Sequence, residues 1–485
     1  MTLDPQILLL TLYGTLFGFI FGIIPIAGAT TALITLYGFL NYFQGHAYNL
    51  LAFTTAIVVS CTVGDLFASI VMNIPGGGGS AATMVDGFPL SKQGQAARAL
   101  SAAIFSSCGM GFVWGVLVFV FLPYYSKVVM LFGIPELWAF VLMSLACICF
   151  VNNKYWVRGI IGLLLGTFLG LVGTNPVTNS LRFTGGWMYL GEGIQLLPLM
   201  AGVLAMPEIL EAINFRGNFI AQGNDQWSQI KQGYLDFWNN KWIAVRGSIV
   251  GGIVGLLPGI GGPIVDWLAY SNVVASNKNE QIPFGQGNIK GVIGPESSVL
   301  AQKSTAYIPT VLFGIPAAPF EAIIMSLLYG VGLDLGSRRI LTDTAFFSTL
   351  TTSYMLSLLL TFFIAIIFIR YAVNINKIPF KYWAIPLLGV ITWSCVQYTG
   401  GWEDYAMLAM CCTLGIVLKY LKISRASFII GFVMAPRVEA LTRQYIAIYD
   451  WIDLLKHPIA LMLLGCGIVA ILYGMIYSKS TIEYV

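Results

Sequence analysis

Ile74-Pro75-Gly76-Gly77-Gly78-Gly79-Ser80 closes a long apolar run, and its residue types suit one task, holding an anion. Glycines leave backbone N–H groups uncovered, and a helix starting just beyond them aims its positive end at the same point. A second interruption falls at Gly314-Ile315-Pro316-Ala317. The hydroxyls of Ser80, Ser297, Ser298 and Thr305 are the candidate polar ligands that go with these breaks. Three ionisable residues, Asp65, Asp266 and Glu321, stand within apolar runs, where a charge is costly and needs water, a cation or a partner, and Lys303 lies just before the run that holds Glu321. Their functional reading is proton or sodium coupling. Their structural reading is an ion pair, with Lys303 the local partner for Glu321 or Asp266. In a water-soluble protein the glycines would make a flexible loop. Beside a membrane span, irregular backbone persists only where it is buried in protein or lines a wet cavity.

The elements that must position these residues follow from composition. Of the 485 residues 57% are hydrophobic and only 9% charged, and the mean hydropathy is +0.81, so most of the chain meets lipid or other apolar helices. The net charge of +4 is too small and too scattered for nucleic acid. The eight cysteines lie in apolar runs without paired metal spacing and read as packing residues. His46 and His457 are far apart in sequence, and no Gly-x4-Gly-Lys-Ser/Thr motif is present. A metal site, a nucleophile with its base, and ATP hydrolysis all lack material, so the chain is not expected to be an enzyme or to carry a cofactor. The first apolar run, Ile7 to Ile24, has no basic residue before it and no small-x-small end, and reads as a retained span.

Apolar runs of span length give seven elements before a polar stretch at 214–241 and about eight after it. Three anchors recur in order across that stretch. Gly22-Ile23-Ile24-Pro25 matches Gly255-Leu256-Leu257-Pro258, Ile74-Pro75 matches Ile315-Pro316 at an offset of 241, and Gly202 to Pro207 matches Gly431 to Pro436. Offsets that agree within a loop length argue for duplication. An odd number of crossings per unit would require the second copy to be inverted, and with the N-terminus outside 18 of the 25 basic residues fall in loops assigned to the inside, which supports that arrangement. The expected fold is therefore an all-α polytopic membrane protein of two inverted structural repeats, with Pro/Gly-broken helices or re-entrant hairpins and about 12–15 transmembrane elements. The expected divisions are a first repeat 1–213, a cytoplasmic linker 214–241, a second repeat 242–448 and an extra C-terminal helix within 449–485. Leu33 to Phe43 is short for a span, so the first two runs read either as crossings or as arms of a re-entrant hairpin. Glu208 and Arg437 follow equivalent prolines and read as a pair across the pseudo-twofold or as residues snorkelling near span ends.

The string Asn73-Ile74-Pro75-Gly76, Ser80-Ala81-Ala82-Thr83, Asp86-Gly87-Phe88-Pro89, Lys92, Gly94-Gln95-Ala96 and Arg98-Ala99-Leu100 resembles the signature of the large permease subunit of tripartite tricarboxylate transporters. Leu257-Pro258-Gly259, Ala269-Tyr270, Phe284-Gly285, Pro295-Glu296, Ile308-Pro309 and Gly314-Ile315-Pro316 extend the resemblance over nearly the whole chain. The resemblance implies a multi-pass permease of the bacterial inner membrane, with a small membrane subunit and a periplasmic solute-binding protein as partners. It also implies uptake of a small organic di- or tricarboxylate by symport with a sodium ion or a proton, without ATP. The sequence departs from the family's pattern after Pro295-Glu296, where Ser297-Ser298-Val299-Leu300 replaces small residues and paired asparagines, and in the acids Asp65, Asp266 and Glu321. Those extra acids keep a carrier of a zwitterionic or cationic solute as the rival within transport; a membrane-embedded enzyme or scaffold is the rival from another class. Pro75 to Ser80 and Pro316 to Pro319 are expected to face each other as broken segments, with Pro75, Gly76, Gly77, Gly78, Gly79, Ser80, Ser297, Ser298, Thr305, Gly314, Pro316 and Ala317 as solute ligands. Asp65, Asp266, Lys303 and Glu321 are the expected coupling residues, and the N-terminus is expected outside with the C-terminus in the cytoplasm.

Overall fold

Asp4 opens the first helix by accepting from the Gln6 N–H at 2.9 Å, and Pro5 fills a first-turn position that needs no N–H. The computed structural model describes the chain except residues 1–3, 26, 75–77, 131, 151–155, 176–177, 214–225, 259–261, 278–279, 373–380, 397–400 and 478–485. The first half contains α1 (Pro5–Ile23), α2 (Gly28–Leu36), α3 (Ala47–Met72), α4 (Thr83–Lys92), α5 (Ala96–Val120), α6 (Leu122–Val129), α7 (Ile134–Phe150), α8 (Trp156–Gly170), α9 (Leu196–Met200) and α10 (Met206–Ala212). After them come α11 (Gln226–Asn239), α12 (Lys241–Gly255), α13 (Gly262–Ser276), α14 (Lys290–Tyr307), α15 (Pro319–Gly330) and α16 (Arg338–Leu341). The chain continues through α17 (Thr344–Tyr371), α18 (Lys381–Cys395), α19 (Trp402–Tyr420), α20 (Arg425–Ile448) and α21 (Pro458–Tyr477). Among the described residues the strands are two short ones, Gly173–Thr174 and Leu181–Arg182, paired antiparallel. By length and composition α1, α3, α5 and α17 can each cross a membrane, and α7, α8, α15, α18 and α21 are shorter apolar helices. The protein is an all-α polytopic membrane protein, as its composition requires.

Small residues decide which helices touch. Between apolar helices in lipid, association depends on close backbone approach, which glycines spaced one turn apart permit. On α1, Gly14, Gly18 and Gly22 lie against Phe53, Ile57 and Cys61 of α3 in rising order, so the two helices run parallel. A Cβ at Gly14 or Gly18 would come within 2.7 Å of the α3 backbone. The same stripe recurs on α12, where Gly247, Gly251 and Gly255 meet Gly294, Ser298 and Gln302 of α14, again in rising order. Each parallel pair takes a third helix from the other half of the chain. Thr11 and Thr15 of α1 donate to Ser353 and Ser357 of α17, while Gly111 and Gly115 of α5 face Leu300 of α14 and Tyr354 of α17. The two trios run in opposite directions: Thr351 reaches the Phe119 carbonyl while Phe362 packs on Phe105, so α5 and α17 are antiparallel.

Because α1 and α3 are parallel, α2 and the 3-10 turn after it (Tyr37–Phe43) must return to the side where α1 began. Gly22, near the end of α1, reaches only to Gly64, whereas α3 continues to Met72. The first two runs thus form a hairpin that turns short of the end of α3. The stretch expected as a polar linker holds α11, whose Ile230, Gly233 and Phe237 turn onto α5. Ser101 donates to the Ile230 carbonyl at 2.8 Å and Arg98 pairs with Asp236 at 2.6 Å. The cysteines described as buried (61, 108, 147, 395 and 411) sit in packed positions.

The glycine stripes give a stability test. Gly251→Val would drive a branched side chain into the Ser298 carbonyl and is expected to destabilise the fold by about 3 kcal/mol. Gly389→Ala, whose Cβ meets nothing within 4 Å, is expected to leave melting in detergent unchanged.

Candidate functional site

Helix α3 ends in a π turn, Ala68–Met72, and then at Asn73, whose left-handed φ of 57° closes the helix and returns its N–H to the Ala68 carbonyl. Pro75, Gly76 and Gly77 lie outside the described residues. The chain resumes through Gly78, Gly79 and Ser80, where a Cβ on Gly79 would lie 3.0 Å from Val299 of α14. The backbone thus sits directly on the second half. Ser69 donates to the Ser80 hydroxyl at 2.6 Å. The Ala82 N–H, at the start of α4, donates at 2.6 Å to Oδ2 of Asp266 on α13, and the Ala81 N–H faces the same carboxylate. Next to it Thr83 donates to Oε1 of Glu296 on α14 at 2.6 Å.

The second break is built in the same way. Helix α14 passes into a π turn, Ile308–Leu312, after which the Gly314 N–H reaches the Thr310 carbonyl and the Ile315 N–H the Pro309 carbonyl. Gly314 has φ 63° and a Cβ there would run into the Leu335 carbonyl, so only glycine fits. Pro316 and Pro319 have no N–H to satisfy. The two N–H groups between them, Ala317 and Ala318, both donate to Oε2 of Glu321, at 2.5 and 2.9 Å, and Thr310 adds its hydroxyl at 3.2 Å. A carboxylate at the third position of α15 thus covers the start of its own helix.

Lys303 on α14 lies between the two breaks. Its ammonium donates to the Thr62 hydroxyl of α3 at 2.5 Å and stands 5.2 Å over the ring of Phe320, the residue just after Pro319. It is within Coulomb range of Asp65, Glu296 and Glu321, and Glu296 is within range of Asp266. All four carboxylates are buried, and Lys303 is the one buried lysine or arginine among the described residues. The ion pair expected of Lys303 with Glu321 or Asp266 is not formed, since both acids spend an oxygen on backbone N–H groups instead. Oδ1 of Asp266, Oε1 of Glu321 and both amide atoms of Gln302 have no hydrogen-bond partner. Buried polar atoms rarely stay unsatisfied, so this set suits a polar or charged guest.

Not every candidate gathers here. The hydroxyls of Ser297, Ser298 and Thr305 bond back to carbonyls of their own helix. Ser297 and Thr305 also line the packed face opposite Gly247 and Gly255 of α12. Glu208 pairs with Arg425 at 2.7 Å rather than with Arg437, which packs beside Gly314. Among the described residues no group of three His, Cys, Asp or Glu could hold a metal ion.

Three residues of the cluster escaped the reading of the sequence. Glu296 and Lys303 share a helix face at a spacing of two turns, a signal that was available. Thr62 had no local signal. Asp86 stands in a signature string, but nothing local names its partners: its Oδ1 accepts from the N–H groups of Gly285, Gly287 and Asn288 at 2.8, 3.0 and 2.9 Å, and its Oδ2 from the Tyr270 hydroxyl at 3.0 Å. This fully buried carboxylate fixes the loop that leads into α14, and with it the position of Lys303.

Broken helices around a buried charged cluster fit the architecture of a helical membrane transporter. The profile of the tripartite tricarboxylate transporter TctA family matches residues 8–430, and the chain belongs to that family. It is 27% identical over 98% of its length to an Agrobacterium vitis protein described as "Uncharacterized 52.8 kDa protein in TAR-I ttuC' 3'region", 94% of which is covered. It is 29% identical over 47% of its length to a second A. vitis protein, described as "Uncharacterized protein in TAR-II ttuC' 3'region", 95% of which is covered. No solved structure matches.

Asp86→Ala would leave three backbone N–H groups without their acceptor, two of them buried, at Gly287 and Asn288. The variant is expected to lose roughly 3 kcal/mol of stability and to show faster amide exchange at 285–288 than at α1.

Proposed function

We propose that the chain is the permease of a binding-protein-dependent secondary carrier that takes up a small organic di- or tricarboxylate at the expense of a sodium or proton gradient. The observation that carries this reading is Lys303, a buried ammonium bracketed by two broken helices and facing three carboxylates. A bundle with only a structural role gains little from such a cluster, because desolvating each charge costs several kcal/mol. A site that admits anions and cations in turn needs both signs. The partners in this reading are a small membrane subunit and a periplasmic solute-binding protein, as in the tripartite family. The membrane is the bacterial inner membrane, with the N-terminus outside and the C-terminus in the cytoplasm.

The same reading takes residues 1–213 and 242–448 as inverted repeats, with the helix of 449–485 added. Its support is the matched glycine stripes, the opposed trios, and one contact: Lys303 and the Thr62 that it touches are 241 residues apart, the offset that relates Pro316 to Pro75. Residues at equivalent positions meet each other only near an axis that relates the copies.

Two measurements test this. In proteoliposomes that also hold the small subunit and are supplied with the loaded binding protein, an imposed sodium or proton gradient is expected to drive uptake of citrate or succinate, and Lys303→Met to reduce the initial rate at least tenfold, because it leaves the carboxylates without their cation at a cost of roughly 3 kcal/mol or more. Uptake of a cationic amine instead would move the assignment to the rival class. For orientation, a cysteine at exposed Tyr42 is expected to react with an impermeant reagent from outside, and one at exposed Lys231 only from the cytoplasmic side. The reverse pattern would overturn the N-out assignment.

A further inference from the structure

The N–H groups that a solute carboxylate would use at the broken helices already hold carboxylates. Asp266 occupies the one at Ala82, and Glu321 the pair at Ala317 and Ala318. The seat at Glu321 is the more complete, with two N–H groups and the Thr310 hydroxyl converging on one oxygen, while the other oxygen has no partner and the residue is 2% exposed. An N–H pair fixed by Pro316 and Pro319 accepts any carboxylate of that size. Nothing in its geometry is particular to a glutamate.

We propose that Glu321 is the resident occupant of an anion seat, and that the solute couples to a proton by replacing it there. This rests on the carrier reading above. A solute carboxylate takes over the N–H groups of Ala317 and Ala318, and the Glu321 carboxylate swings out of them. An ionised carboxylate cannot stay in a buried site without its donors, so Glu321 leaves as the neutral acid, having taken one proton from the compartment that supplied the solute. One negative charge then remains in the seat, and one proton has entered with the solute. The groups that face Glu321 are few: Lys303, which helps to retain a negative charge in the seat, and the Tyr307 hydroxyl. When the solute leaves on the other side, Glu321 returns to its N–H groups and releases the proton there. Accumulation thus follows from two carboxylates competing for one pair of donors.

Purified full-length protein tests this with citrate as the probe, at a mildly alkaline pH where citrate itself carries no proton. Wild type is expected to take up one proton per bound citrate. Glu321→Gln keeps the shape but presents a weaker, neutral competitor, and is expected to bind citrate about tenfold tighter with no proton uptake. Glu321→Ala empties the seat, and formate is expected to raise its melting temperature while leaving wild type unaffected. Equal citrate affinity and equal proton uptake in wild type and Glu321→Gln would overturn the exchange. Absence of any formate effect on Glu321→Ala would show that the N–H pair is a structural cap and no seat, and would overturn it as well. Failure of the wild-type permease, supplied with its small subunit and the loaded binding protein, to take up citrate or succinate would bring down the carrier reading itself, while the formate experiment would still decide whether the seat exists.

Discussion

In a membrane every backbone N–H must find its partner inside the protein, and this constraint governs the two broken helices. A break exposes donors that the helix would have used. Here the donors before each break turn back to carbonyls, and those beyond it are closed by carboxylates, Asp266 at Ala82 and Glu321 at Ala317 and Ala318. Closing a break with charge brings acids into the bundle, and Lys303 stands among them. One backbone problem, solved with side chains that can exchange partners, therefore produces the charged cluster.

The cluster forms where α3 meets α14, and each of those helices is held by a glycine-lined neighbour. With no Cβ at Gly18 or Gly251, α1 and α12 come close enough to hold their partners by backbone contact, which is rigid and needs no polar group. The cross-chain contacts of α5 and α17 then lock each pair to the other half. Stability and chemistry are thereby separated: the glycine faces carry packing, and the opposite faces of α3 and α14 carry Thr62, Asp65, Glu296 and Lys303. Ser297 and Thr305 fell on the packing face, so their hydroxyls turn back to their own helix. Their residue type suggested ligands. Their register on the helix decided otherwise.

What could be read from the sequence divides along the same line. Membrane class, helices and the positions of the breaks follow from composition and from Pro and Gly, which act locally. The partners of the charges do not, because a buried acid can be satisfied from anywhere in the fold. Asp86 is bound by a loop 199 to 202 residues away, and Lys303 by Thr62 across 241. The glycine stripes were legible, at one offset in both halves, but only to a search for spacing instead of for identical strings. Helix α11 was hidden by its polar composition, since Ile230, Gly233 and Phe237 make a narrow apolar face in a hydrophilic stretch.

The two breaks also differ in a way that bears on mechanism. Ser69 is tied to Ser80, and Thr310 to Glu321, each across eleven residues and each from the π turn to the segment beyond the break. The first tie joins two hydroxyls and is indifferent to charge. The second joins a hydroxyl to a carboxylate that also holds two N–H groups, so its strength changes whenever the charge on that carboxylate changes. Asp266 also holds the first break, at Ala82, but from another helix, whereas at the second break the carboxylate belongs to the helix it caps and carries the tie itself. Equal response at both breaks would leave their relative strength unaltered, whereas unequal response gives the charge a direction in which to move the structure.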